Sequence, residues 1–153
     1  MTNKKKILVI NGPNLNVLGL RDKTIYGTRT YKELQKYIKE YAKSRGVFIK
    51  IFQSNSEGDI IDLIQKASGK YFGLIINAAA FSHTSIAIMD SLSVFEGLIY
   101  EVHLSNIYNR EIYRRHSYIS NASKGVISGL GFLGYELALD IILNSKKEKN
   151  VQI

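Results

Sequence analysis

A carboxylate and an imidazole lie close together in one apolar stretch of the sequence. Glu101 and His103 belong to the otherwise apolar run Leu98-Ile-Tyr-Glu-Val-His-Leu104. If this run is a β-strand, the two side chains point to the same face. An unpaired carboxylate there would be costly, so we expect Glu101 to pair with His103 and to fix its tautomer. The pair would suit acid–base chemistry; the alternative is a histidine with a purely structural role at a strand end.

Three arginines follow this pair in the segment Asn106-Ile-Tyr-Asn-Arg-Glu-Ile-Tyr-Arg-Arg-His116. If the segment is helical, Arg110 and Arg114 share a face at i,i+4. Guanidinium groups match the geometry of a carboxylate, so this pair would suit an anionic ligand. A solvated basic helix is the alternative.

A tyrosine and an arginine lie in the long segment between the first strand and the first helix. Gly19 and Gly27 flank Arg21 and Tyr26, and a loop of this length without secondary structure is usually a functional lid. A nearby guanidinium stabilises a phenolate, so Tyr26 could act as a base. Taken alone, it could also be an ordinary amphipathic tyrosine.

The segment Asn77-Ala-Ala-Ala-Phe-Ser-His-Thr-Ser85 is a turn rich in small residues. Asn77 and His83 could hydrogen-bond to hydroxyl groups of a ligand. Ser82 or Thr84 could equally cap the helix that follows.

The elements that carry these residues alternate between strands and helices. Apolar runs predict strands at Lys6–Ile10, Val47–Gln53, Phe72–Ile76, Leu98–Val102 and Gly125–Ser128. Helices are predicted after the capping box Thr30-Tyr-Lys-Glu33, after Ser56, from about Thr84 to Val94 and from about Gly131 to Leu143. The pattern predicts a single α/β domain over residues 1–153, with loose basic tails at 1–5 and 145–153.

Right-handed crossovers and short loops favour a doubly wound, five-stranded parallel sheet of order 2-1-3-4-5. Ligands bind such sheets beyond the carboxyl ends of the strands, at the switch point between strands 1 and 3. The loops that leave strands 1, 3 and 4 carry the polar residues described above. We therefore expect them to meet at one rim.

Composition excludes several classes of site. The chain has no cysteine, and the spacing of its three histidines fits no zinc pattern. We find no apolar run of transmembrane length and no signal peptide, so we expect a cytoplasmic protein without membrane contact. The formal net charge is +8, but the basic residues are dispersed, which favours a solvated surface over a nucleic-acid site.

Two glycine-rich segments suggest a nucleotide. The segment from Asn11 to Gly19 lacks the Gly-Lys-Ser/Thr ending of a P-loop. Gly129-Leu-Gly-Phe-Leu-Gly134 matches G-x-G-x-x-G, but a ribose-binding acid about 20 residues later would fall in the lysine-rich tail. Close helix–strand packing is the favoured interpretation. A non-catalytic flavodoxin-like module that binds a nucleotide or phosphate remains the alternative function.

Considered together, the motifs resemble the type II 3-dehydroquinate dehydratases over almost the whole chain. The blocks that carry the resemblance, in the order and spacing of that family, are Asn11-Gly-Pro-Asn-Leu-Asn, Tyr26-Gly27, Gln53-Ser-Asn-Ser-Glu57, His83-Thr-Ser, Glu101-Val-His-Leu-Ser-Asn106 and the segment from Arg110 to Ser117. The departures are small: Phe81-Ser82 replaces the more usual Tyr-Thr, and Met89 replaces a residue that is often basic.

The resemblance implies a lyase of the shikimate pathway, in chorismate and aromatic amino acid biosynthesis, that converts 3-dehydroquinate to 3-dehydroshikimate by anti elimination through an enolate. It implies that Tyr26 is the general base, with Arg21 stabilising charge beside it. His103 would be the general acid, oriented by Glu101, and Asn14 would hold a water that stabilises the enolate.

It also implies a flavodoxin-like fold, no metal or cofactor, and a homododecamer built from trimers. Asp90 would reach the substrate across a subunit contact. The remaining implied substrate-binding residues are Asn77, His83, Leu104, Ser105, Arg110 and Arg114.

Overall fold

The computed structural model describes residues 4–145, which form one five-stranded parallel sheet. Its strands, β1 to β5 in chain order, have the sheet order β2-β1-β3-β4-β5, and this confirms the predicted flavodoxin-like topology. Their bounds are β1 Lys6–Asn11, β2 Phe48–Gln53, β3 Gly73–Asn77, β4 Leu98–His103 and β5 Gly125–Ser128.

The central strands are apolar on both faces because helices cover both sides of the sheet. In β1, Ile7 and Val9 pack into one core while Leu8 and Ile10 pack into the other. The edge strands β2 and β5 are only partly buried, and they carry the more polar sequences.

Within residues 4–145, five α-helices accompany the sheet. They are α1 Lys23–Tyr26, α2 Tyr31–Ser44, α3 Glu57–Ala67, α4 Ile86–Ser93 and α5 Leu133–Asn144. The core that contains Ile7 and Val9 includes residues of α2 and α5, whereas the opposite core includes residues of α3 and α4.

The predicted helix starts are largely confirmed, with one correction. Thr30 and Glu33 form the predicted capping box of α2: the Glu33 N–H donates to Thr30 Oγ1 at 3.2 Å, and the Thr30 N–H donates to Glu33 Oε2 at 2.7 Å. Ser56 caps α3. Helix α4, however, is capped by Ser85, whose Oγ accepts from the Ile88 N–H at 2.9 Å, and not by Ser82 or Thr84.

Two expectations about loops were wrong. The segment after β4 is not a helix, because Arg110 is extended (φ −131°, ψ −169°) between the 3-10 turns Ile107–Asn109 and Ile112–Arg114. The long segment after β1 is not structureless either. It contains a 3-10 helix, Leu15–Leu20, and α1, and Leu15 and Leu18 anchor it in the core.

Most of the predicted tails, residues 1–5 and 145–153, lies outside the described residues. Lys5 is a described residue of the first tail, and its Nζ donates to the carbonyl oxygen of Leu143 in α5 at 2.8 Å. None of the helices within residues 4–145 is both long and apolar enough to cross a bilayer.

Candidate active site

A pocket opens beyond the carboxyl ends of β1, β3 and β4. Its walls come from the three loops that the fold rule selects, so the predicted rim is confirmed. The residues that line it are Leu15, Arg21, Tyr26, Asn77, Ala79, Ala80, His83, His103, Leu104, Ser105, Ile107, Arg110 and Arg114.

The predicted carboxylate–imidazole pair forms at the end of β4. His103 Nε2 lies 2.6 Å from Glu101 Oε1, and the same oxygen accepts a hydrogen bond from Ser117 Oγ at 2.6 Å. A carboxylate in the ionised form would accept this hydrogen bond from a proton on Nε2, which would leave Nδ1 for other partners. Glu101 is fully buried and His103 is 4% exposed, so the pair is held away from bulk water.

Two guanidinium groups hold the hydroxyl of Tyr26. Arg21 Nη2 donates to it at 2.9 Å, and Arg110 Nη1 donates at 2.6 Å. Asp22 starts the short helix α1 by accepting from the Thr24 N–H, and the helix ends at Gly27, which has a φ of 71°. This turn places the Tyr26 hydroxyl between the two arginines, which both donate to its oxygen.

The pocket is strongly positive. Arg21, Arg110 and Arg114 all line it, and the wall contains no carboxylate from the described part of the chain. Burial lowers the pKa of Arg21; Tyr26 opposes that shift, whereas the charges of Arg110 and Arg114 add to it. Outside the pocket, Glu111 lies 3.0 Å from Arg114 Nε. Such a pocket suits an anionic ligand.

His83 lies beside His103, with the rings 6.1 Å apart and nearly parallel. Its Nδ1 is 2.7 Å from the carbonyl oxygen of His116, and a carbonyl can only accept. Nδ1 is therefore the protonated nitrogen, and Nε2 is an acceptor. Burial lowers the pKa of His83. The neutral ring can thus accept a hydrogen bond from a ligand hydroxyl.

Asn77 lies at the end of β3 and is 3% exposed. Its Oδ1 accepts from the Ala79 N–H at 3.2 Å, and its Nδ2 donates to the Tyr135 hydroxyl at 3.0 Å. Ala79 has a φ of 51°, which is uncommon for a residue with a Cβ, and this turn lets the chain pass along the pocket wall.

Three of the predicted site residues lie outside the pocket wall. Glu101 lies behind His103, with its Oε1 2.6 Å from His103 Nε2. Asn14 is exposed in a left-handed conformation (φ 67°), and its N–H donates to Asn55 Oδ1 at 3.0 Å. Asp90 is exposed on α4.

Sequence reasoning missed part of the site. It assigned no role to the apolar wall residues Leu15, Ala79, Ala80 and Ile107, which carry no chemical signal. It also missed the support given by Ser117 and Tyr135. Ser117 lies in a segment that the resemblance highlighted, and Tyr135 directly follows the last glycine of the G-x-G-x-x-G match.

The glycine motif itself is a packing feature. A Cβ on Gly134 would lie 3.2 Å from Val102 Cγ1 and 3.4 Å from Ile127 Cγ2, so α5 packs tightly on the sheet there. None of Gly129, Gly131 and Gly134 lines the pocket. Within residues 4–145, no cluster of three or more histidine or acidic side chains could hold a metal ion.

Comparison with known proteins agrees with this geometry. A family model described as dehydroquinase class II matches residues 5–143. A 3-dehydroquinate dehydratase from Bartonella henselae is 53% identical over 137 residues, covering 90% of this chain and 93% of that protein. Another from Clostridium botulinum is 50% identical over 144 residues, covering 94% and 95% respectively.

The fold agrees as well. The crystal structure of type II dehydroquinase from Butyrivibrio crossotus has a TM-score of 0.90 and 45% sequence identity, with coverage of 92% of this chain and 99% of that one. The matches in sequence and in structure extend over nearly the whole chain, and the chain therefore belongs to the class II dehydroquinase family.

Proposed function

We propose that this protein dehydrates 3-dehydroquinate to 3-dehydroshikimate, a step of the shikimate pathway. The observation that carries the proposal is a tyrosine hydroxyl held by two guanidinium groups, in one pocket with a carboxylate-paired histidine. Such a site contains both a base and an acid, and its positive charge suits the carboxylate of the substrate.

The reaction begins with proton removal. The phenolate of Tyr26, stabilised by Arg21 and Arg110, takes the proton from C2, next to the ketone of the substrate. The electron pair of the broken C–H bond moves onto the carbonyl oxygen and forms an enolate. Hydrogen-bond donors aimed at this oxygen lower the barrier; in our proposal, Asn14 holds a water for this purpose.

The elimination is completed at C1. As the enolate collapses, the C1–C2 double bond forms and the C1 hydroxyl leaves with a proton from His103, so that water is released. Protonated His103 can supply this proton from Nδ1, because Nε2 is bound to Glu101. The charge of Glu101 stabilises the imidazolium, and Ser117 holds the carboxylate in place.

Substrate binding uses the rest of the wall. Arg114 matches the substrate carboxylate, and Asn77 and neutral His83 match its hydroxyl groups. The backbone amides of Leu104 and Ser105 complete the set. The proposal also includes Asp90 from a neighbouring subunit, a homododecamer built from trimers and a cytoplasmic location. The proposed steps need no metal, nucleotide or imine.

The central experiment is the substitution Tyr26→Phe. Turnover of 3-dehydroquinate, followed by the ultraviolet absorbance of the conjugated enone product, should fall by about 10³-fold, the scale of general-base catalysis. Substrate binding should change far less, because the ring and both arginines remain. Tyr41→Phe is the matched control, since it also removes a hydrogen-bonded hydroxyl, at 2.7 Å from Asp140 Oδ2 and away from the pocket wall.

An unchanged turnover in Tyr26→Phe would remove this residue from its role. Borohydride added together with substrate should trap no covalent adduct. A reduced lysine adduct would instead indicate imine chemistry.

A further inference from the structure

A buried chain of hydrogen bonds runs from the pocket wall into the core. The donor and acceptor roles along these hydrogen bonds are set at the pocket wall. The Ala79 N–H can only donate, so Oδ1 of Asn77 must face it. Asn77 Nδ2 must then face Tyr135, to which it donates at 3.0 Å. The Tyr135 hydroxyl uses its own proton on Asn11 Oδ1 at 2.6 Å. Asn11 Nδ2 faces the Tyr31 hydroxyl at 3.4 Å.

The members of this chain come from distant parts of the sequence and are shielded from water. Asn11 ends β1, Asn77 ends β3 and Tyr135 lies in the first turn of α5. Their exposed fractions are 0%, 3% and 1% respectively. Burial raises the pKa of Tyr135 far above its ordinary value, so its hydroxyl keeps the proton that it donates. A buried polar group that loses its partner is expensive, so these hydrogen bonds hold one arrangement.

We propose that Tyr135 is a positioning residue, whose hydroxyl holds the Nδ2 end of the Asn77 amide in place at the substrate. This inference rests on the proposed function, in which Asn77 binds a substrate hydroxyl. An amide has two donor hydrogens and an acceptor oxygen, and rotation by half a turn exchanges them. Ala79 and Tyr135 each engage one end of the amide, so together they define which groups remain for the ligand.

The backbone beside Asn77 makes this anchoring necessary. Ala79 occupies the left-handed region (φ 51°), which is unfavourable for a residue with a Cβ. The side chain of Asn77 stabilises that turn by accepting from the Ala79 N–H, a local interaction of the Asx-turn type. Tyr135 therefore supports both the amide and, through it, a stretch of the wall.

The test is a double-mutant cycle on Tyr135 and Asn77. Tyr135→Phe keeps the ring and removes only the hydroxyl; we expect kcat/KM for 3-dehydroquinate to fall about tenfold, mainly through KM. Asn77→Ala should lower kcat/KM by at least as much. Tyr135→Phe should then have no further effect in the Asn77→Ala background, whereas a purely structural role would lower both backgrounds equally. Tyr41→Phe is the control for loss of a hydrogen-bonded hydroxyl and should leave kcat/KM unchanged.

Two kinetic outcomes would overturn the inference. One is a Tyr135→Phe enzyme with the kcat/KM of the wild type. The other is an undiminished effect of Tyr135→Phe when Asn77 is already alanine. If Tyr135→Phe does not fold, Asn11→Ala is the second variant, because it removes the acceptor of the Tyr135 hydroxyl. It should lower kcat/KM less than Tyr135→Phe would, and it should have no effect in the Asn77→Ala background. Equal effects in both backgrounds would overturn the inference.

A structural measurement separates this inference from the proposed function. A wild-type enzyme that is inactive on 3-dehydroquinate would refute the proposed function. Crystal structures of the wild type and of Tyr135→Phe would still test how Asn77 is placed, because they do not depend on activity. We expect the Asn77 side chain to shift or to change its rotamer in the variant, because its Nδ2 loses the Tyr135 hydroxyl. An unmoved Asn77 would overturn the positioning role.

Discussion

Replacing Glu101 by glutamine should separate activity from stability. The glutamine has the same shape but no charge. Two unit charges about 4 Å apart, near the separation of charge centres in a hydrogen-bonded carboxylate–imidazolium pair, interact by about 4 kcal/mol at an effective dielectric constant of 20. If His103 loses this stabilisation when it becomes charged, turnover should fall by about 10³-fold, since 1.36 kcal/mol corresponds to a tenfold change in rate.

The same substitution should change stability only slightly. The carboxylate is fully buried, and its Oε1 accepts from His103 and Ser117. Converting those two charge-assisted bonds into neutral ones costs about 1 kcal/mol each. Removing a buried charge offsets that cost by relieving its desolvation. The free energy of unfolding should therefore stay within about 2 kcal/mol of the wild-type value.

The assay combines steady-state turnover of 3-dehydroquinate with urea denaturation of the same preparations. Glu136→Gln is the matched control, because Glu136 Oε2 also accepts a short hydrogen bond, from the Tyr37 hydroxyl at 2.5 Å, and does not line the pocket. It should keep full turnover. A Glu101→Gln enzyme that retains a third of wild-type turnover would refute the electrostatic role of the carboxylate. Loss of most of the folding stability would refute the reasoning about desolvation.

Four further substitutions test other features of the fold and the site. Ser117→Ala removes one hydrogen bond to the buried carboxylate, so turnover should fall about five-fold; a loss of 10³-fold would contradict a merely supporting role. Burial lowers the pKa of His83, so below about pH 6.5 the unfolded chain binds more protons than the folded one, and stability falls as the pH drops through that value. In urea denaturation between pH 7 and pH 5, His83→Gln should therefore lose less stability than the wild type. An equal loss would contradict this reasoning. Gly12→Ala places a Cβ 2.4 Å from the Ala78 carbonyl oxygen and should lower the melting temperature, at a cost of about 1–3 kcal/mol in stability. Gly58→Ala is the control: its Cβ has no heavy atom nearer than 3.9 Å, and alanine is the better helix former, so the melting temperature should rise. An unchanged melting temperature in Gly12→Ala would show that the loop can move.

The sheet order could be predicted because it follows from general rules. Alternating strands and helices, with right-handed crossovers, leave few topologies for a short chain. The pairing of Glu101 with His103 was equally accessible, since a spacing of two along a strand puts both side chains on one face. The meeting of Tyr26 with Arg21 depends on α1, a short turn that the sequence did not indicate.

The remainder of the site depends on contacts between distant residues. Arg110 reaches the Tyr26 hydroxyl, 84 residues away, because its backbone is extended. The sequence suggested instead a helix in which Arg110 and Arg114 would have shared one face. The bond between Tyr135 and Asn11 spans 124 residues. No local periodicity encodes such a pairing, which exists only once α5 packs on the sheet.

The crowding of positive charge in the pocket couples the stability of the enzyme to its occupancy. Arg21, Arg110 and Arg114 face one cavity with no acidic wall residue among those described. Glu111, outside the wall, pairs with Arg110 and Arg114, and the charges of these two arginines still add to the lowering of the pKa of Arg21. An anion that enters relieves this repulsion, and the folded state gains in proportion to the logarithm of ligand concentration. The empty enzyme is thus the less relaxed form, and small inorganic anions in a buffer would act both as stabilisers and as competitors of the substrate.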